Sequence, residues 1–320
     1  MSDTPMTTEE REKKLRRLCG AAAANVPTGL SDFQLDYLVA NLDQVGQAVN
    51  DALYGILPAT VYDGWIGKLL STEEQCHKAF FGRTFDLTLF GQVLAKYGEE
   101  RVSLWKTLGW EPHFLPKIRF NSRDKYRGWK TKPGAWFYEQ VKTGKVMRRN
   151  AVGELLPIKD VETDGTVLLV YAPCKPAYDN GKQMFIQDGN DPIGDVIADL
   201  RGQQKIGSYD PIKSWFGISS VEWDEQIRPA LATCELFEGV NWRLELSIEA
   251  NILPQCYKHM PRIKDGTTNT WCWYEEFFES ASYRLFGGDS GCGGLADVSC
   301  RDAGVHWSYR AVRPLGVLSL

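Results

Sequence analysis

Eleven polar residues near the end of the chain carry the side chains best suited to chemistry or recognition: Asp289, Ser290, Cys292, Ser299, Cys300, Arg301, Asp302, His306, Ser308, Tyr309 and Arg310. Carboxylates, hydroxyls, thiols, an imidazole and guanidinium groups can all hydrogen-bond or ion-pair with a partner. No repeating period links them, so they form neither one helix face nor one strand face. Between them lie Gly287, Gly288, Gly293 and Gly294, with Leu295, Ala296, Val298 and Ala303. Glycine permits positive φ and close backbone approach, and the aliphatics pack. The pattern reads as loop tips on a glycine-pinned scaffold, where binding residues concentrate. Asp302 and His306 have the types of an acid–base pair, yet no motif sets a nucleophile beside them. No catalytic residue is therefore expected, and the chain reads as a binder rather than an enzyme.

Other chemistry-bearing groups are dispersed. Asp188, Asn190, Asp191 and Asp195 offer oxygens of the kind calcium takes, but the EF-hand order of ligands is missing. A turn capping the helix after Pro192 is expected instead. Residues 125–130 mix Lys125, Arg127 and Lys130 with Tyr126 and Trp129, as single-strand binders do. In a chain of formal net charge −4 such a patch reads as a surface loop, and no nucleic-acid partner is expected. Eight cysteines are scattered without a CxxC pair and read as thiols in a reducing compartment. No metal or cofactor is expected.

The elements that must position the C-terminal residues follow from periodicity. Residues 1–110 read as a small helical domain. Ser31 to Gln34 form a capping box that opens an amphipathic run through Leu53, and Pro58 ends it. A second helix is expected from the Ser71–Glu74 cap signature, and a third over 99–108. Beyond residue 111, β-rich runs appear at 117–120, 135–141, 166–171 and 184–187. Two helix candidates follow, at 192–201 and 221–231, and a strand-like run at 311–318 closes the chain. Strands, then helices, then strands again give an α+β order for 111–320.

The 320 residues are 43% hydrophobic and 24% charged, with 11 Trp, the composition of a folded chain that can bury a sizeable core. No stretch approaches the ~20 apolar residues of a membrane span. The polar N-terminus lacks the apolar core of a signal peptide. No membrane insertion is expected, and a cytoplasmic or virion-associated location is. From Leu285 to Leu320 there is no Lys, Glu, Gln or Met, although all four occur elsewhere in the chain. Glycine-rich loops that disfavour long side chains would account for this.

The motifs Trp271-Cys272-Trp273, Tyr283-Arg284-Leu285 before Gly287-Gly288, and Val312-Arg313-Pro314-Leu315 resemble C-type-lectin-fold proteins, in particular the formylglycine-generating-enzyme (sulfatase-modifying factor) subgroup. The helix entry at 243–250 resembles the same family more loosely. Cys272 stands where that family has Glu, and no Trp follows Gly288. Within the fold, the chain is most similar to the variable proteins of diversity-generating retroelements. That resemblance implies adenine-directed rewriting of Asn-type codons. Such codons yield Asp, Ser, Cys, Arg, His and Tyr, but never Lys, Glu, Gln or Met.

The resemblance implies a C-type-lectin-like domain over 111–320 with a variable segment at 285–320. Positions 289, 290, 292, 299–302, 306 and 308–310 would meet a protein or other macromolecular ligand, with Tyr309 and Arg310 as hot spots. Trp271, Trp273, Gly287, Gly288, Trp307 and Arg313 would be scaffold. Two rivals remain. A formylglycine-generating or sulfoxide-synthase-like metalloenzyme would need a close cysteine pair for copper, for which only Cys292 and Cys300 are candidates, or an iron-holding histidine run. The helical region offers only His77, with His113 just beyond it. A fixed phage or cell-surface adhesion module is the other rival.

Overall fold

A computed structural model describes residues 64–172, 191–257, 271–288 and 294–320. The Ser31 capping box, the 184–187 strand, Asp188, Asn190, Asp289, Ser290 and Cys292 lie outside the described residues. By packing, the chain divides into Met1–Leu53 and Tyr54–Leu320, and every described residue belongs to the second unit.

Helix α1 (Gly64–Phe81) buries Ile66, Leu70, Glu73, His77 and Phe80, a stripe at three- and four-residue spacing. The stripe begins before Ser71, so the helix runs through the expected cap, and Thr72 Oγ1 bonds back to the Lys68 carbonyl at 2.9 Å. Helix α2 (Thr88–Thr107) changes direction at Gly98, where φ is 81°; the expected 99–108 helix is its second half. Phe90, Val93, Leu94 and Trp105 of α2 share one core cluster with Trp110, Val167 and Trp215. The boundary expected near 110 thus falls inside a continuous core.

The architecture is mixed α and β. Strands β1 (Trp110–Leu115), β6 (Thr166–Tyr171), β12 (Pro314–Leu318) and β7 (Val240–Leu244) form an antiparallel sheet in the order β1-β6-β12-β7. Alternate residues of a strand face opposite sides. Val167, Leu169 and Tyr171 enter one core cluster, and Leu168 and Val170 the other. That two-sided burial explains the uninterrupted apolar run. A second sheet runs β10 (Val298–Asp302), β9 (Ser280–Gly287), β8 (Trp271–Phe278), β3 (Val146–Arg149) and β4 (Leu155–Pro157), with β11 (Arg310–Ala311) parallel to β8. Strands β2 (Arg119–Phe120) and β5 (Val161–Glu162) pair separately, so the run at 117–120 is strand only in its last two residues.

Residues 135–141, expected as a strand, form helix α3 (Ala135–Lys142). Their aromatic content suits a strand, but Phe137 and Val141 bury together at the four-residue spacing of a helix. Helix α4 (Pro192–Gly202) starts as expected. Asp191 accepts a bond from the Ile193 N–H at 3.1 Å, and Pro192 occupies the first turn. The second expected helix forms, and it carries a π turn, Trp223–Ile227, between α5 (Ser220–Glu222) and α6 (Arg228–Ala232). Helix α7 (Ser247–Cys256) follows β7, with the Glu249 carboxylate accepting from the Leu246 N–H. Among the described residues no helix is long and apolar enough to cross a membrane.

Candidate functional site

Glycine and tryptophan fix the frame of the C-terminal segment. A Cβ on Gly287 would lie 1.9 Å from the Asp297 carbonyl oxygen, and Gly288 has φ 101°, so both positions demand glycine. Trp271 Nε1 donates to the Asp297 carboxylate at 3.0 Å, and Trp273 Nε1 to the Ile218 carbonyl at 2.9 Å. Arg313 is buried, with Nε 3.4 Å from Glu245 Oε1. Trp307 is half-buried, its ring 6.2 Å from Trp271 and 5.1 Å from Tyr309. All six expected scaffold residues therefore sit in packed or conformationally fixed positions.

The expected contact residues divide. On β10, Ser299 opposes Phe286 and Arg301 opposes Arg284, whereas Cys300 opposes Leu285. Residues opposite each other in a ladder share a face. Cys300 therefore turns to the other side, half-buried against the second core cluster. Burial raises its thiol above the ordinary value, the opposite of what a reactive thiolate needs. Arg301 and Asp302 are exposed, and Asp302 turns the chain by accepting from the Gly304 N–H at 2.8 Å. His306 is exposed and lies 3.4 Å from Glu222, which is its ionic neighbour. Ser308 and Tyr309 are exposed.

Arg310 corrects the expectation of an exposed hot spot. Its side chain is fully buried (0% exposed), and its guanidinium carbon lies 3.8 Å from the Phe286 ring centroid and 4.2 Å from both Trp273 and Trp307. Nε, Nη1 and Nη2 have no hydrogen-bond partner among the described residues. Desolvation pushes the guanidinium down to about 9, with Arg301 adding to the effect and Asp297 opposing it. The aromatic rings account for the burial: an arginine beside three ring faces gains cation–π energy, roughly 0.5–2 kcal/mol each.

Backbone bonds hold the segment that carries the exposed groups. The Ala303 carbonyl accepts from Ser220 N–H and Oγ, both at 3.0 Å, and Ala303 N–H donates to Ser282. The Tyr209 hydroxyl donates to the Ser308 carbonyl, and Gly217 N–H to the Arg310 carbonyl. Tyr209, Glu222 and Asp297 are thus supports that no motif announced. They lie outside the polar cluster, and only the folded chain brings the first two to it.

Several of the other chemistry-bearing groups among the described residues have partners within the fold. Asp191 caps α4 and also accepts from Trp215 Nε1 at 2.8 Å, while Asp195 pairs with Lys213. In the 125–130 patch Trp129 is buried and donates to Asn251 at 2.7 Å, and half-buried Tyr126 packs edge-on 5.3 Å from Phe81. His77 and His113 surround the Glu73 carboxylate. Comparison with protein families, with characterised proteins and with solved structures gave no match to this chain.

Proposed function

We propose that the chain is a non-catalytic ligand-binding protein on a C-type-lectin-type fold, its C-terminal loops diversified by a retroelement for recognition of varied partners. The observation that carries the reading is the contrast along 299–310. Arg301, Asp302, His306, Ser308 and Tyr309 are exposed, while the backbone between them is bonded to β9, to the 207–222 segment and to β8. Exposed side chains on a held backbone lose little entropy on binding, so specificity can change without refolding. Tyr309, beside Trp271 and Trp307, is the aromatic anchor of this surface. The partner is a protein or other macromolecule.

The test is sequencing the 3′ end of the gene with its flanking DNA across a source population. Variation confined to codons 289, 290, 292, 299–302, 306 and 308–310, with a nearby near-copy that differs at adenines, is the expected result. An invariant segment with no near-copy overturns diversification and leaves a fixed adhesion module.

A further inference from the structure

Other enclosed or half-enclosed arginines among the described residues have acceptors. Arg284 meets Asp224 at 2.7 Å, Glu275 at 2.9 Å and the Tyr274 carbonyl at 2.6 Å. Arg243 meets both oxygens of Glu249 at 2.6 Å. Arg201 donates to the carbonyls of Gly207, Ile212, Ser214 and Phe216. Arg310 is as deeply enclosed as Arg284, yet none of its guanidinium nitrogens has an acceptor among the described residues. Aromatic faces balance its charge but leave the N–H donors of the planar fork unbonded.

We infer that Arg310 is a latent carboxylate-binding group covered by Trp307, and that an acidic side chain or chain terminus of the partner supplies the carboxylate. The inference deepens the binding reading above and rests on it for the partner. A carboxylate is planar and matches the guanidinium fork with two parallel bonds. The local charges favour a monoanion. Arg301 and Arg310 both lie over the Trp307 ring, at 5.5 and 4.2 Å, and among the described residues Asp297, beside Trp271, is the one carboxylate acting on Arg310. Two cations and one anion leave a single positive charge to be met; a dianionic phosphate would exceed it.

Access is through the turn that closes on Arg310 itself. Trp307 begins this turn, which the Arg310 N–H closes onto the Trp307 carbonyl at 3.1 Å, with exposed Ser308 and Tyr309 between. Rotation of the half-buried indole uncovers the guanidinium without disturbing β11. That strand is held independently by pairing with β8 and by the Gly217 N–H. A partner seated on Tyr309 would bring its acidic group to the cage as Trp307 moves aside.

The experiment is a titration of the full chain with acetate and, separately, inorganic phosphate, at constant ionic strength and pH 7. Arg310 Nε–H and the Trp307 indole N–H are followed by NMR. Expected are a saturable shift of both signals with acetate, weaker binding of phosphate, and about tenfold tighter acetate binding in Trp307→Ala, where the cover is gone. In Arg310→Met, whose apolar side chain still fills the cage, the indole shift with acetate is lost. Tighter binding of phosphate than acetate overturns the carboxylate assignment. Absence of a saturable shift with either anion in both the natural chain and Trp307→Ala overturns the site and leaves Arg310 as a pin between rings. The titration needs no macromolecular partner, so it can fail while the diversified surface stands, or succeed while that reading falls.

Discussion

Two buried cations, placed at opposite ends of the described chain, are handled in different ways. His113 on β1 faces Glu73 of α1 at 3.0 Å and stacks on Tyr257 with ring centroids 3.8 Å apart. The same carboxylate accepts from the Phe114 N–H at 2.8 Å and from the Tyr257 hydroxyl. Arg310, by contrast, is surrounded by rings and has no acceptor among the described residues. A buried charge with its counter-charge and hydrogen bonds is a structural element, whereas one without them costs several kcal/mol that the free protein does not recover. Where the fold closes its own bonds there is nothing left for a ligand to do. The unfinished site lies beside the exposed loops.

Breaking the finished site has the largest effect. Glu73→Ala leaves the His113 cation, the Phe114 N–H and the Tyr257 hydroxyl without their common acceptor. It is expected to lower unfolding free energy by about 3–5 kcal/mol in urea denaturation. The pH dependence carries a second signature. Burial alone would raise Glu73 and lower His113, but their mutual attraction and hydrogen bonds outweigh it, holding Glu73 at about 2 and His113 at about 9. The His113 contribution is full below its ordinary 6.5 and is lost as pH rises through 9. That of Glu73 is full above 4.5 and is lost as pH falls through 2. The natural chain should therefore lose stability on both sides of pH 4.5–6.5, and Glu73→Ala should lose less; equal slopes would show that the pair does not carry the dependence.

Completing the unfinished site with an apolar side chain should have the opposite sign. Arg310→Met keeps the cage filled and removes the unbonded guanidinium, so a gain of about 1 kcal/mol is expected, the cation–π contacts offsetting part of the desolvation cost. Burial disfavours the charged guanidinium of Arg310, and the native state bears that cost at pH 7, where the advantage of Arg310→Met is read. A loss of stability at pH 7 would mean that the rings more than compensate the desolvation.

The contrast between the two sites was only half legible in the sequence. Helix α4, strand β6 and the glycine-pinned C-terminal frame were readable because each rests on a local rule: a cap, a continuous apolar run, a backbone that excludes Cβ. Helix α3 was not, because Trp136, Phe137 and Tyr138 favour strands locally and only the burial of Phe137 with Val141 decides otherwise. The polar cluster was found, but exposure within it was not. Arg310 and Tyr309 are adjacent and equally suited to an interface. What separates them is the placement of Phe286 and Trp273 by a strand pairing that no local pattern encodes. Glu73 and His77 lay on an otherwise apolar stripe whose partners come from β1 and from Tyr257 just after α7.

The smallest stability effect, and the sharpest separation of fold from function, is expected at Tyr309. Its side chain is 45% exposed and touches only the edge of the core, its ring 5.1 Å from both Trp271 and Trp307. Truncation forfeits part of two aromatic contacts, and the exposed remainder contributes nothing to folding, so Tyr309→Ala should cost less than about 1 kcal/mol. At a binding surface the same truncation removes the anchor that excludes water from neighbouring contacts, and a loss of 2 kcal/mol or more, about thirtyfold in Kd, is the expected scale. Calorimetric unfolding and affinity for a partner selected against the natural chain measure the two quantities on one variant. Unchanged affinity would place the contact surface elsewhere on the segment. A stability loss as large as that of Glu73→Ala would make Tyr309 part of the core that it only borders.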